Sequence, residues 1–274
     1  MARRFNQLDG KTWLKYSISV WELPRIAEDR NEHPAPFPVA LAERVIQIYT
    51  NPGDLVIDPM CGSGTTLAVA NRLGRHAHGV ELNPDYGLMA LDRITQTEAQ
   101  DVDVTISIGD ARNLTDYVEP GSARLCLFSP PYWDVLNRKR TVTGGAITPY
   151  SDHPDDLGNA ETYGKYLLMM NQIMAQVYRA LQPDGHCVLV CMDIRRGSRF
   201  YPLHQDLTNV AQAVGFDLED IIIWDRRKDY YTFRPIGYPH RFRVNKAHEY
   251  LLIFRKPPEE GAHRGEVGNP ADGS

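Results

Sequence analysis

Short apolar runs alternate with amphipathic stretches along most of this chain. Leu55-Val56-Ile57, Ala77 to Val80, Val102 to Ile108, Arg124 to Phe128, Cys187 to Met192, Ile221 to Trp224 and Glu249 to Phe254 have the length and apolar content of buried strands. Helical spacing fills the gaps. Val39 onward places Ala42, Val45, Ile46 and Tyr49 on one face; Thr66 to Leu73, Pro84 to about Thr97 and residues 203–214 follow suit. The longest stretch, roughly 161–181, puts Tyr163, Tyr166, Leu167, Met170, Ile173, Met174, Val177 and Leu181 on its inner face, and methionines at that spacing are core. The last two strands have no helix between them. The pattern predicts an α/β fold with a parallel sheet closed by a reversed hairpin.

The rest of the chain is punctuation around that alternation. Residues 1–32 are mixed and charged, with an aromatic-apolar patch from Trp13 to Leu23, and read as an N-terminal extension. Pro34, Pro36 and Pro38 then exclude helix and strand together, and composition alone makes this a rigid linker. One domain is expected over 33–256, with a mobile loop at 137–160 and a basic loop at 225–247, followed by a disordered tail at 257–274.

Composition changes little. The hydrophobic fraction of 42% and charged fraction of 24% are ordinary for a globular protein. No run of about 18 apolar residues is present, so no membrane span is expected, and Met-Ala-Arg-Arg-Phe-Asn lacks the apolar segment of a secretion signal. Cys61, Cys126, Cys187 and Cys191 have no Cys-x-x-Cys partner, which argues against structural zinc and for a reduced, cytoplasmic setting. The net charge of −5 gives no whole-chain signature of a nucleic-acid binder.

Two motifs carry chemistry. At the end of the first central strand, Asp58-Pro59 leads into Gly62-Ser63-Gly64 and a helix, the opening unit of a nucleotide-binding sheet whose ligand lies at the carboxyl end of the strand. The turn lacks Gly-x-Gly-x-x-Gly, which argues against a dinucleotide. About two dozen residues later, Glu81 ends the next strand, placed to accept from ribose hydroxyls. The second motif is Ser129-Pro130-Pro131-Tyr132, at the same sheet edge. Two prolines lock an extended backbone whose carbonyls, with the Ser129 hydroxyl, are left to accept hydrogen bonds from an amino group. Tyr132 offers a flat face to a planar base.

With these motifs the chain resembles the S-adenosylmethionine-dependent DNA amino-methyltransferases of the N4-cytosine/N6-adenine type. Asp58 to Thr66 is similar to that family's cofactor motif, with Met60 where Phe is commoner, and Ser129 to Tyr132 to its catalytic tetrapeptide. His33 to Pro38 with the following helix resembles the segment beside the cofactor's methionine end. The likeness covers roughly residues 16–256, in the permuted order of helper segment, cofactor motif, catalytic motif. It implies a Rossmann-like class I methyltransferase: a seven-stranded, mostly parallel sheet with one reversed strand and helices on both faces.

The resemblance also implies roles. Asp58 and the backbone of Gly62 and Gly64 surround the amino-acid end of S-adenosylmethionine, with Pro59 and Thr65 in the same set. Glu81 holds the ribose, Asp110 and Ala111 meet the adenine, and Phe37 and Pro38 wall the methionine side. Ser129, Pro130, Pro131 and Tyr132 form the catalytic site, where an exocyclic amine attacks the methyl directly and no cysteine nucleophile is needed. The base must be flipped out of the duplex to reach them.

Double-stranded DNA is the expected partner. Residues 225–247 hold seven Lys/Arg against two Asp, interleaved with Tyr230, Tyr231, Phe233, Tyr238 and Phe242, which suits phosphates and unstacked bases. Arg226, Arg227, Lys228, Arg234, Arg241, Arg243 and Lys246 are the expected contacts, joined by Arg138 and Arg140. Ser before the two prolines points to cytosine N4; adenine N6 is the alternative, and an RNA base amino-methyltransferase a more distant one. The resemblance allows a restriction endonuclease counterpart, a homodimer and a nucleoid-associated location in a prokaryote.

Overall fold

The computed structural model describes residues 5–24, 26, 29, 37–97, 100–135, 156–229 and 235–258. Helix α1 (Gly10–Tyr16) starts where the Asp9 carboxylate accepts from the Lys11 and Thr12 N–H groups. Strand β1 (Val20–Glu22) and helix α2 (Val39–Tyr49) precede the alternation β2 (Leu55–Asp58), α3 (Thr65–Arg72), β3 (His76–Glu81), α4 (Pro84–Thr95), β4 (Val104–Ile108), β5 (Ala123–Phe128), α5 (Tyr163–Ala180) and β6 (Leu181–Cys191). A hairpin of β7 (Ile194–Arg196) and β8 (Arg199–Tyr201) leads into α6 (Leu203–Val214), β9 (Asp217–Asp225) and β10 (His248–Arg255).

The main sheet has eight strands in the order β1-β9-β10-β6-β5-β2-β3-β4. Every neighbouring pair is parallel except those of β10, which runs antiparallel to both β6 and β9. The seven expected strands, the reversed one among them, are all present. The eighth, β1, comes from the stretch read as an extension. Ser19 accepts from the Ile223 N–H, Trp21 is buried, and the Arg44 guanidinium lies 4.6 Å over the Trp21 ring. Three residues are too few to show a strand period, so only a partner strand reveals it.

Consecutive residues of the central strands serve opposite cores. Ile57, Cys126, Phe128, Leu189, Leu252 and Phe254 pack with Met170 and Met174 of α5 and Leu207 of α6. Val56, Leu125, Leu127, Val190, Leu251 and Ile253 pack with Val45 and Ile46 of α2 and Leu67 of α3. A sheet buried on both faces explains why these strands read as unbroken apolar runs. All four cysteines are buried and free, and no helix among the described residues is long and apolar enough to cross a membrane.

Of the loop expected to be mobile, residues 137–155 lie outside the described residues. Its end is packed: Leu157 and Ala160 are buried, and the Trp133 indole donates to the Ala160 carbonyl at 2.9 Å. Most of the expected tail, from residue 259, also lies outside the described residues.

Candidate active site

The Asp58-to-Thr66 turn is tied at its middle to the end of β3. The Cys61 N–H donates to the Val80 carbonyl at 3.0 Å, and the Gly62 N–H to Glu81 Oε2 at 2.8 Å. Gly62 and Gly64 both adopt left-handed backbone, φ 50° and 76°. A Cβ on Gly64 would sit 2.8 Å from that of Ala90, so α3 and α4 close against each other through the missing side chain. Gly64 is therefore a packing residue and does not face the cleft that the turn opens.

That cleft encloses about 910 Å³ when its open mouth is included. Of the residues singled out in the sequence, Phe37, Asp58, Pro59, Gly62, Thr65, Glu81, Asp110, Ala111, Ser129 and Pro131 line it; Pro38, Gly64, Pro130 and Tyr132 do not. Pro38 instead caps α2 and is buried. Sequence reasoning missed Asn83, Arg112, Asp156, Leu157, Met169 and Ile173 in the lining. Met169 and Ile173 belong to α5 and serve as core and wall at once, a double role that spacing alone cannot separate.

The carboxylates are held by the backbone. Asp58 is buried, accepts from Thr66 Oγ1 at 2.6 Å and from the Met60 N–H at 3.1 Å, and burial pushes its pKa up to about 7 against those two hydrogen bonds. Glu81 accepts from Gly62 and, at 2.9 Å, from the Asn83 N–H; burial raises its pKa too, with these bonds opposing. Each oxygen of Glu81 keeps lone-pair capacity for a hydroxyl donor. Asp110 caps the turn after β4 through the Arg112 N–H at 2.8 Å and is gripped by the Arg112 guanidinium. Thr65 Oγ1 accepts from Arg93 at 2.6 Å.

At the Ser129–Tyr132 tetrapeptide the structure revises one expectation. The Pro131 carbonyl is satisfied by the Trp133 N–H at 2.9 Å, whereas no described residue donates to the Pro130 carbonyl. Trp133 reaches this through a left-handed φ of 48°, a strained conformation for a bulky residue. The Tyr132 hydroxyl lies 3.1 Å from Ser129 Oγ and donates to Glu249 Oε2 at 2.8 Å. Burial first, and the Glu249 charge next, push the Tyr132 pKa well above the usual phenol range. Glu249, on β10, is buried and ion-paired with Arg226. Nothing in the apolar run around Glu249 marked it in sequence except its charge in an otherwise buried strand.

The basic loop divides. Arg226 pairs with Glu249 and Asp229, Arg227 with Asp225 at 2.6 Å, and Lys228 with Glu22. These three cations are neutralised by carboxylates that the sequence count set elsewhere or netted off. The distal part differs: Arg241 is exposed, Arg243 half-buried, and Tyr238 and Phe242 are 79% and 94% exposed. Arg138, Arg140 and Arg234, with Tyr230, Tyr231 and Phe233, lie outside the described residues.

The sequence model of the DNA methylase family matches residues 4–92 and 123–269. DNA adenine methyltransferase YhdJ of Escherichia coli is 43% identical over 79 residues, 28% of this chain and 27% of that protein. Type II methyltransferase M.ScaI of Streptomyces caespitosus is 37% identical over 93 residues, 31% and 30% of the two chains. The match thus spans under a third of either relative. A crystal structure of a SAM-dependent methyltransferase from Methanosarcina mazei superposes with a TM-score of 0.52 at 14% identity, covering 78% of this chain and 98% of that one.

Proposed function

This chain belongs to the DNA methylase family, and on that premise we propose that it transfers a methyl group from S-adenosylmethionine to cytosine N4 in double-stranded DNA. The cleft fits that donor on its own residues. Four carboxylates, Asp58, Glu81, Asp110 and Asp156, face it against the single guanidinium of Arg112, a balance suited to a ligand carrying a sulfonium and an ammonium. Apolar Phe37, Met60, Leu82 and Met169 wall the remainder. Asp58, Pro59, Gly62 and Thr65 would hold the amino-acid end, Glu81 the ribose hydroxyls, Asp110 and Ala111 the adenine. When bound, S-adenosylmethionine supplies a methyl group already activated by the positive charge on its sulfur.

The chain's own contribution is to present an amine lone pair. Tyr132 donates to Glu249, so Ser129 donates to Tyr132 and keeps its lone pairs for the cleft that it lines. The negative charge at the far end of this chain of hydroxyls strengthens Ser129 Oγ as an acceptor. The Pro130 carbonyl is a second acceptor. Together they draw on the two N–H bonds of a flipped-out base and localise the nitrogen lone pair for attack. Arg241, Arg243 and Lys246, with Tyr238 and Phe242, are the DNA surface in this reading; Arg138, Arg140 and Arg234, expected there from the sequence, lie outside the described residues.

The observation that carries the proposal is the meeting of Glu81 and Ser129 on one cleft. Ser129 favours cytosine, because a neutral hydroxyl stands where adenine enzymes of the family carry Asp or Asn. Adenine N6 is the second reading, favoured by the name of the Escherichia coli relative. The name of M.ScaI supports a restriction endonuclease counterpart. Expression in a methylation-free host, with nucleoside digestion and mass spectrometry of its DNA, tests this. N4-methylcytosine is expected; N6-methyladenine alone would sink the cytosine assignment, and unmodified DNA the whole reading.

A further inference from the structure

Strand β6 ends beside β5 at the carboxyl edge of the sheet, with Phe128 in register with Leu189. The chain then leaves the sheet and folds into the β7–β8 hairpin, where Ile194 pairs with Tyr201, Arg195 with Phe200 and Arg196 with Arg199. Ile194 and Tyr201 anchor its base in the core. The Tyr201 ring lies 5.4 Å from that of Trp133, the residue that follows the catalytic tetrapeptide, and 4.7 Å from that of Tyr163. The hairpin is thus fastened to the same edge as Ser129.

Its outer part is cationic and exposed. Each guanidinium is laid over an aromatic face: Arg195 over Phe200 at 5.2 Å, Arg196 over Trp133 at 4.9 Å and Arg199 over Tyr201 at 4.8 Å. Lys246, from the end of the basic loop, lies over Phe200 at 4.4 Å, which joins the two basic segments into one surface. Stacking fixes the plane of a guanidinium and leaves its N–H edges outward, the geometry that meets a phosphate with two parallel hydrogen bonds. Arg196 also lies 3.7 Å from Asp134. Among the described residues no carboxylate pairs with Arg195, Arg199 or Lys246, in contrast to Arg226, Arg227 and Lys228.

We propose that the β7–β8 hairpin grips the DNA backbone beside the flipped nucleotide, with Arg195 and Arg199 on phosphates. This rests on the reading that duplex DNA is the substrate. A base leaving the stack strains its own backbone, and a rigid pair of stacked guanidinium groups on a hairpin fastened beside Trp133 holds the opened strand in register. Such contacts add affinity without reading sequence.

The test is a full-length double variant, Arg195→Gln with Arg199→Gln, titrated with duplex oligonucleotide across a series of salt concentrations by fluorescence anisotropy. Affinity is expected to drop roughly tenfold or more, as for lost charge-assisted hydrogen bonds. The slope of log affinity against log salt should shrink by about 0.9 for each phosphate released. S-adenosylmethionine affinity, thermal midpoint and the sequence methylated should stay as in the wild type. The matching double lysine variant should recover the slope and only part of the affinity. A wild type that binds DNA, with a glutamine variant of equal slope and affinity, overturns the hairpin proposal alone. A wild type that binds no duplex overturns the substrate reading and takes this proposal with it.

Discussion

The Tyr132 hydroxyl donates to Glu249 Oε2 at 2.8 Å, across 117 positions of sequence. That bond orients the whole polar end of the Ser129–Tyr132 tetrapeptide. With the phenol proton committed to a buried carboxylate, the Ser129 proton turns toward Tyr132 and the serine oxygen is left to accept.

Replacing Tyr132 by Phe should therefore lower kcat by roughly 10- to 100-fold, the worth of a hydrogen bond to a charged group, with S-adenosylmethionine affinity unchanged. Glu249→Gln should act in the same direction, and the two together should lose less than the product of the single effects. Single-turnover methylation rates check this. A Tyr132→Phe rate within twofold of wild type would remove the hydroxyl chain from the mechanism.

Burial raises Asp58 from 3.8 to about 7. Its folded value lies above the unfolded one, so its contribution to stability is full below the unfolded value and lost as pH rises through about 7. A cationic ligand needs the ionised carboxylate. S-adenosylmethionine affinity should accordingly strengthen as pH rises through about 7, with release of a proton on binding below it. Asp58→Asn should bind weakly and without that slope. Calorimetry at two pH values, in buffers of different ionisation heat, would expose a flat wild-type profile if Asp58 does not meet the ligand.

Gly64→Ala should destabilise the fold by about 1–3 kcal/mol, from left-handed backbone and a new Cβ against Ala90. Urea unfolding of the two proteins measures it. An unchanged midpoint would mean that α4 gives way at no cost.

The basic loop should behave as two halves. Charge reversal at Arg241 and Arg243 is expected to weaken DNA binding and flatten its salt dependence by about 0.9 per phosphate lost. Arg226→Ala should mainly lower thermal stability, because Glu249 stays buried with its ion-pair partner gone. Melting curves beside anisotropy titrations separate the two. Equal losses of DNA affinity without loss of stability would contradict this division.

Much of the fold was legible because it is written in local periods. The five main helices and seven strands follow from apolar spacing, and Asp58, Glu81 and Ser129 fall at strand ends where the fold puts ligands. What stayed hidden depends on distant partners. β1 has meaning only beside β9, and Glu249 only beside Tyr132. Counting charge along the chain likewise credited the loop with Arg226 and Lys228. Their carboxylate partners, Glu249 and Glu22, sit on other strands.

β10 hydrogen-bonds to β6 on one side and β9 on the other, yet it follows every other strand in the chain. As the polypeptide emerges from the ribosome, β9 and β1 have no neighbour linking them to the rest of the sheet until His248 to Arg255 has been made. The strand that joins β1 and β9 to the rest of the sheet is the last to arrive, a long-range closure of the slow kind. Glu249 arrives with it. The nascent chain can already carry the Ser129 tetrapeptide and the glycine turn, but its serine has no oriented proton. Under the proposed function, the hydroxyl chain that orients Ser129 is complete only once this last strand has been translated.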